Sequence, residues 1–112
     1  PTKKSRMKPW RIHPAAQTEL EETAGQYLMI DQVLAESFNH QYLTYRQQIC
    51  ENPLLFNIRT GIVRRVNLTP RFGEYYLAYM LWHEQVIILA VAHAKRRPYY
   101  WRHRISESKK MF

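Results

Sequence analysis

Residues 73–104 read GEYYLAYMLWHEQVIILAVAHAKRRPYYWRHR, and the order of residue types within them decides the fold. Tyr75 to Trp82 and Val86 to His93 are runs of aromatic and branched apolar residues joined by His83-Glu84-Gln85. Short apolar runs with so short a link predict two antiparallel strands. In the second run Val86, Ile88, Ala90 and Ala92 face one way and Ile87, Leu89, Val91 and His93 the other. Apolar residues on both faces mark a central, well-covered strand. Directly after it comes Lys95-Arg96-Arg97-Pro98-Tyr99-Tyr100-Trp101, so a buried sheet leads into a cationic, aromatic edge suited to a phosphate-rich or acidic partner.

Working back from that stretch, Ile62 to Leu68 reads as another strand, broken by Thr69-Pro70-Arg71, which makes a three-stranded antiparallel meander. Upstream the period changes to that of helices. Ala16, Leu20, Ala24 and Tyr27 form one apolar stripe of a helix from Pro14 to about Met29, with proline in the first position. Asp31 can cap a second helix, Gln32 to Glu51, whose stripe is Leu34, Phe38, Tyr42, Tyr45 and Ile49. Asn52-Pro53 stops it, because the residue before a proline avoids the helical region. Lys8 to His13 reads as an edge strand, Leu54 to Gly61 as a connecting loop, and 105–112 as a tail. The expectation is one α+β domain over 1–112: an N-terminal strand, then an antiparallel helical hairpin packed on an antiparallel sheet of three to four strands, in the order β-α-α-β-β-β.

The formal charge of +8 is unevenly placed. Residues 1–13 carry five Lys or Arg and no acid, 14–51 one Arg against six acids, and 52–112 eleven against three. A directed cationic patch follows rather than a uniform coat. The basic residues 1–7 read as an extension of the domain. The single cysteine, Cys50, cannot form an internal disulfide and has no neighbouring base to make it a nucleophile. His13, His40, His83, His93 and His103 show no ligand spacing with Asp, Glu or Cys, so neither a metal nor another cofactor is expected. No apolar run resembles a signal peptide or a membrane span, which points to the cytoplasm and to no membrane partner.

Five segments carry a family resemblance. They are His13-Pro14-Ala15-Ala16-Gln17-Thr18-Glu19-Leu20, Glu51-Asn52-Pro53, Arg64-Arg65, Tyr76-Leu77-Ala78-Tyr79 and Val86 to Trp101. In order and spacing they resemble the RelE/ParE superfamily of bacterial toxins, and the last resembles the ending of ParE-like, plasmid-stabilisation members. Phe72-Gly73-Glu74-Tyr75 departs from the Phe-Pro-Tyr frequent there. The resemblance implies the toxin of a type II toxin-antitoxin pair, neutralised by a cognate antitoxin. A +8 chain suits an acidic partner that folds on binding.

Two targets are implied, and they need different residues. In ribosome-dependent mRNA endonucleases, metal-free cleavage needs cations and proton-transfer groups around the phosphate. By resemblance Arg65, Arg96 and Tyr99 or Tyr100 occupy such positions. Tyr76 and Asn67 stand where two further cations are expected, which weakens the enzymatic reading. A ParE-like toxin that inhibits growth by binding DNA gyrase is the leading expectation, with Lys95, Arg96, Arg97, Trp101, Arg102 and Arg104 as its target-binding edge and His93 as a polar site residue. The endonuclease, with Arg65, Arg96 and Tyr100 catalytic and the ribosome with mRNA as partner, is the alternative. A non-toxic, basic nucleic-acid-binding adapter is the second alternative.

Overall fold

A computed structural model describes residues 7–112, so the basic extension lies outside the described residues except for Met7. Its elements in chain order are β1 (Trp10–Ile12), α1 (Pro14–Leu28), α2 (Gln32–Glu51), β2 (Ile58–Thr60), β3 (Val63–Leu68), β4 (Phe72–Trp82), β5 (Gln85–His93) and α3 (His103–Met111). The sheet has five strands in the order β1-β5-β4-β3-β2. Its centre is the expected antiparallel meander of β3, β4 and β5.

Three features correct the expected fold. The sheet is mixed, because β1 pairs parallel to β5, with Ile12 beside Ile88. The segment read as a loop contains β2, which closes the far edge of the sheet against β3. The segment read as a tail is α3, whose Ile105 packs with Phe112 against the sheet.

The helical boundaries follow from their caps. The His13 ring accepts from the Ala15 N–H at 3.0 Å and Pro14 opens α1. The Asp31 carboxylate accepts from the Val33 N–H at 3.2 Å at the start of α2. Each cap takes up a backbone donor that the first helical turn leaves free. Both apolar stripes land on one sheet face, where Ala16, Phe38, Tyr42 and Ile49 meet Val66, Leu77, Tyr79, Ile88 and Val91. On the opposite face Tyr76, Met80, Ile87 and Leu89 form a second core with Trp101. The strand that reads as apolar on both faces is thus buried on both, but past Leu89 the expected faces are exchanged, Val91 joining Val86 and Ile88 while Ala90 and Ala92 join Ile87 and Leu89. Each large aliphatic side chain contributes about 1.5–3 kcal/mol.

One irregularity prepares the site. Ala78 pairs with Ala90 but Tyr79 pairs with Ile88, leaving Leu89 as an extra residue in β5. Such a bulge flips the direction of the backbone groups beyond it. β1 has by then ended, its last rung being the His13 N–H to the Ile88 carbonyl at 2.9 Å. The Leu89 carbonyl and the Val91 N–H therefore point to a side of β5 where no strand remains among the described residues.

Candidate functional site

Side chains fill that gap. Glu19 on α1, with its side chain only 12% exposed, accepts from the Val91 N–H at 3.0 Å. It also accepts from both terminal nitrogens of Arg104, at 2.9 and 3.0 Å, and from the Tyr100 hydroxyl at 2.6 Å. Arg104 donates in turn to the Leu89 carbonyl at 3.1 Å. A buried carboxylate is thus met by a two-pronged guanidinium, a phenol and a backbone amide, the arrangement in which a buried charge is tolerated. Burial foremost, and then the Glu19 carboxylate, push the Tyr100 hydroxyl above the ordinary tyrosine range.

The basic segment is folded around this anchor. The Ala94 N–H donates to the Glu74 carbonyl at 2.7 Å and ends the β4–β5 ladder. The Lys95 N–H donates to His93 Nδ1 at 3.0 Å, so the ring hydrogen sits on Nε2, and the ring packs edge-on against Tyr75 at 4.9 Å. Arg97-Pro98-Tyr99-Tyr100 then makes a tight turn closed by the Tyr100 N–H to the Arg97 carbonyl at 3.2 Å. Tyr99 has φ of 59° in this turn. Proline followed by a left-handed residue is the type II pattern, in which glycine is usual. A tyrosine held there stores backbone strain of the kind that clusters at functional sites.

Arg96, just before that turn, stacks on the Tyr100 ring at 3.9 Å, with Nη1 3.8 Å from Glu19. Across the surface, Arg65 of β3 stacks on the Tyr76 ring at 3.9 Å and donates from Nε to Asn67 at 3.3 Å. Arg59 of β2, Arg65 and Arg96 line one pocket of about 160 Å³ with Tyr76, Tyr99 and Trp101 among its walls. The Trp101 ring N–H donates to the Tyr76 hydroxyl at 2.9 Å and braces that wall. Three guanidiniums, two of them stacked on aromatic rings, form a site for an anion with a flat or apolar attachment.

The structure sorts the expected residues into three groups. Arg65 and Arg96 meet in the arginine pocket. Lys95, Arg97 and Arg102 are exposed but do not line it. Trp101, 1% exposed, reaches the site only as an inner wall of the pocket, and Arg104, 7% exposed, is an interior residue that corrects the expectation that it lies on the binding edge. Tyr100 is tied to Glu19, and Tyr99 is the tyrosine in the pocket. His93 and Arg96 line a second hollow of about 160 Å³, beside Glu19, Glu22 and Tyr75. Sequence reasoning missed Arg59, which sat in an assumed loop, and the role of Glu19, which entered only as a member of the family-like segment His13 to Leu20. For Glu19 the available signal was its place three residues after Ala16, at the edge of the apolar stripe.

Among the described residues no helix is long and apolar enough to cross a membrane, and no group of three His, Cys, Asp or Glu side chains could hold a metal ion. No protein-family model matches the chain, and no curated protein matches it.

Proposed function

We propose that the chain is the toxin of a type II toxin-antitoxin pair, of the ParE-like kind, and that it inhibits growth by binding the DNA gyrase–DNA complex. The observation that carries the reading is the convergence of Arg59, Arg65 and Arg96 on one aromatic-walled pocket. Arg59 and Arg65 share one face of the paired strands β2 and β3, and Arg96 is brought to them from the segment after β5. Phosphate groups on the target are the natural occupants, since a guanidinium matches phosphate with paired donors and keeps its charge at any working pH.

Binding is favoured over cutting by what surrounds the pocket. Metal-free phosphodiester cleavage needs groups that take up and release protons near the reacting oxygens. Among the described residues lining the pocket there is no imidazole or carboxylate. His93 and Glu19 lie in the adjoining hollow, where His93 Nδ1 accepts from the Lys95 N–H and Glu19 is taken up by Arg104 and Tyr100, which leaves Tyr99 as the expected tyrosine at the pocket. One observation supports the ribosome-dependent mRNA endonuclease as a second reading. Arg59 restores a cation where Tyr76 and Asn67 had left the expected set short.

Induction of the chain alone in a bacterial host, followed by labelled thymidine and methionine incorporation over the first minutes, separates the readings. Early loss of DNA synthesis, relieved by Arg65→Ala or Arg96→Ala, is the expected result. Early collapse of translation would favour the endonuclease. Undisturbed growth with salt-dependent nucleic-acid binding would favour the adapter.

A further inference from the structure

β2 is the last strand on its side of the sheet among the described residues, and its outer edge is open. The Asn57 carbonyl accepts from the Arg65 N–H at 3.2 Å, so the next residue, Ile58, turns its own N–H and C=O away from β3. Side chains alternate across the same edge. Ile58 lies opposite Arg64, on the face covered by the helical hairpin, whereas Arg59 joins Arg65 on the other face.

The surfaces on the two sides of this edge have opposite character. On the Ile58 side is a largely apolar hollow of about 240 Å³ lined by Leu54, Ile58, Ile62, Tyr79 and Leu81. Leu54, just before β2, and Ile58 within it are 63% and 57% exposed, a load of apolar surface beside an open sheet edge. On the Arg59 side is the arginine pocket. A strand added to β2 would send successive side chains to these two surfaces in turn, because its period is two.

We propose that the free edge of β2 docks an extended segment of a partner protein in which apolar and acidic residues alternate. The apolar side chains enter the Leu54–Ile62 hollow, the carboxylates meet Arg59 and Arg65, and the backbone completes the sheet. Charge complementarity selects the acidic partner. The seated segment lies across the arginine pocket, so its binding competes with a phosphate-bearing target. The inference rests on the toxin reading only in taking this segment as part of the neutralising partner.

Titration of the folded protein with short end-capped peptides tests the docking without using toxicity. A peptide alternating leucine and glutamate is expected to bind and to shift the amide signals of residues 58–60. Arg59→Glu should weaken it at least about tenfold, the equivalent of 1.4 kcal/mol, and should admit the leucine–lysine peptide instead. Ile58→Asp should weaken it comparably, and methylation of alternate peptide nitrogens should abolish it. Arg59 is exposed, so its exchange does not hinge on folding. Absence of binding, or equal binding of the lysine or methylated peptide, overturns the proposal. Undisturbed growth on induction would sink the toxin reading and leave this titration unaffected.

Discussion

Glu19 and Arg104, 85 positions apart, form a two-pronged ion pair at 2.9 and 3.0 Å across the end of β1. The pair stands in for the strand that β1 fails to supply beyond Ile88, and it ties α3 to α1. Both side chains are largely buried, Glu19 at 12% and Arg104 at 8% exposed. Removing one partner leaves the other charge inside without compensation, which costs about 3–5 kcal/mol. Glu19→Ala and Arg104→Met are each expected to lower the melting temperature by more than about 10 °C. The double variant Glu19→Leu with Arg104→Met should be less damaged than the sum of the two. Additive losses in urea unfolding would show that the pair is not a unit.

Tyr79 sets a limit at high pH. Its hydroxyl donates to the Pro53 carbonyl at 2.7 Å, and burial pushes its pKa from 10.0 to about 12. Tyr100 is shifted the same way. The folded state therefore holds these protons more tightly than the unfolded chain does. Stability is complete below pH of about 10, where both states are neutral, and is lost as pH rises toward about 12 and the unfolded state ionises. Tyr79→Phe should lower stability at neutral pH, by about 1 kcal/mol for the lost hydrogen bond, while flattening the alkaline loss. Denaturant midpoints measured from pH 7 to 11.5 check both arms.

How much was legible depends on whether a feature has a local cause. The helices and the three meander strands were readable because periodicity, caps and prolines act within a few residues. β2 has only three residues and no period of its own, so Arg59 was lost with it. α3 was invisible for a different reason. Of its residues Arg104 and Ser108 are the buried ones, so a polar anchor stands where an apolar stripe would be sought. The parallel pairing of β1 and the approach of Arg96 to Arg59 and Arg65 are non-local. No pattern within one segment encodes them.

The β4–β5 turn offers a test of backbone strain away from the site. His83 and Glu84 have φ of 53° and 61°, and they link Trp82 directly to its partner Gln85. Two left-handed residues in a two-residue hairpin favour asparagine and glycine. Replacing Glu84 alone by glycine, which keeps the His83 ring stacked on Trp82 and against the Phe112 carbonyl, is expected to stabilise the fold by about 1 kcal/mol, the strain relieved being partly offset by the entropy of the new glycine. The exposed Glu84 contact with Lys8 has little to lose. An unchanged or lower melting temperature would falsify the claim that this turn is strained.

The arginine pocket makes a prediction that separates a built site from a merely basic surface. The logarithm of affinity for a single-stranded oligonucleotide falls against that of salt with a slope of about −0.7 per phosphate neutralised. Three guanidiniums in the pocket imply a slope near −2 from this site alone, by the same estimate. Arg59→Gln, Arg65→Gln and Arg96→Gln should each reduce the slope by about 0.7 and weaken binding regardless of base sequence. Arg97 is exposed and lies outside the pocket, so Arg97→Gln should leave the slope nearly unchanged. Tyr99→Gly should preserve the slope while lowering affinity, because it removes a stacking wall but no charge. If Arg97→Gln lowers the slope as much as Arg65→Gln does, the attraction belongs to the whole cationic edge and the pocket has no privileged role.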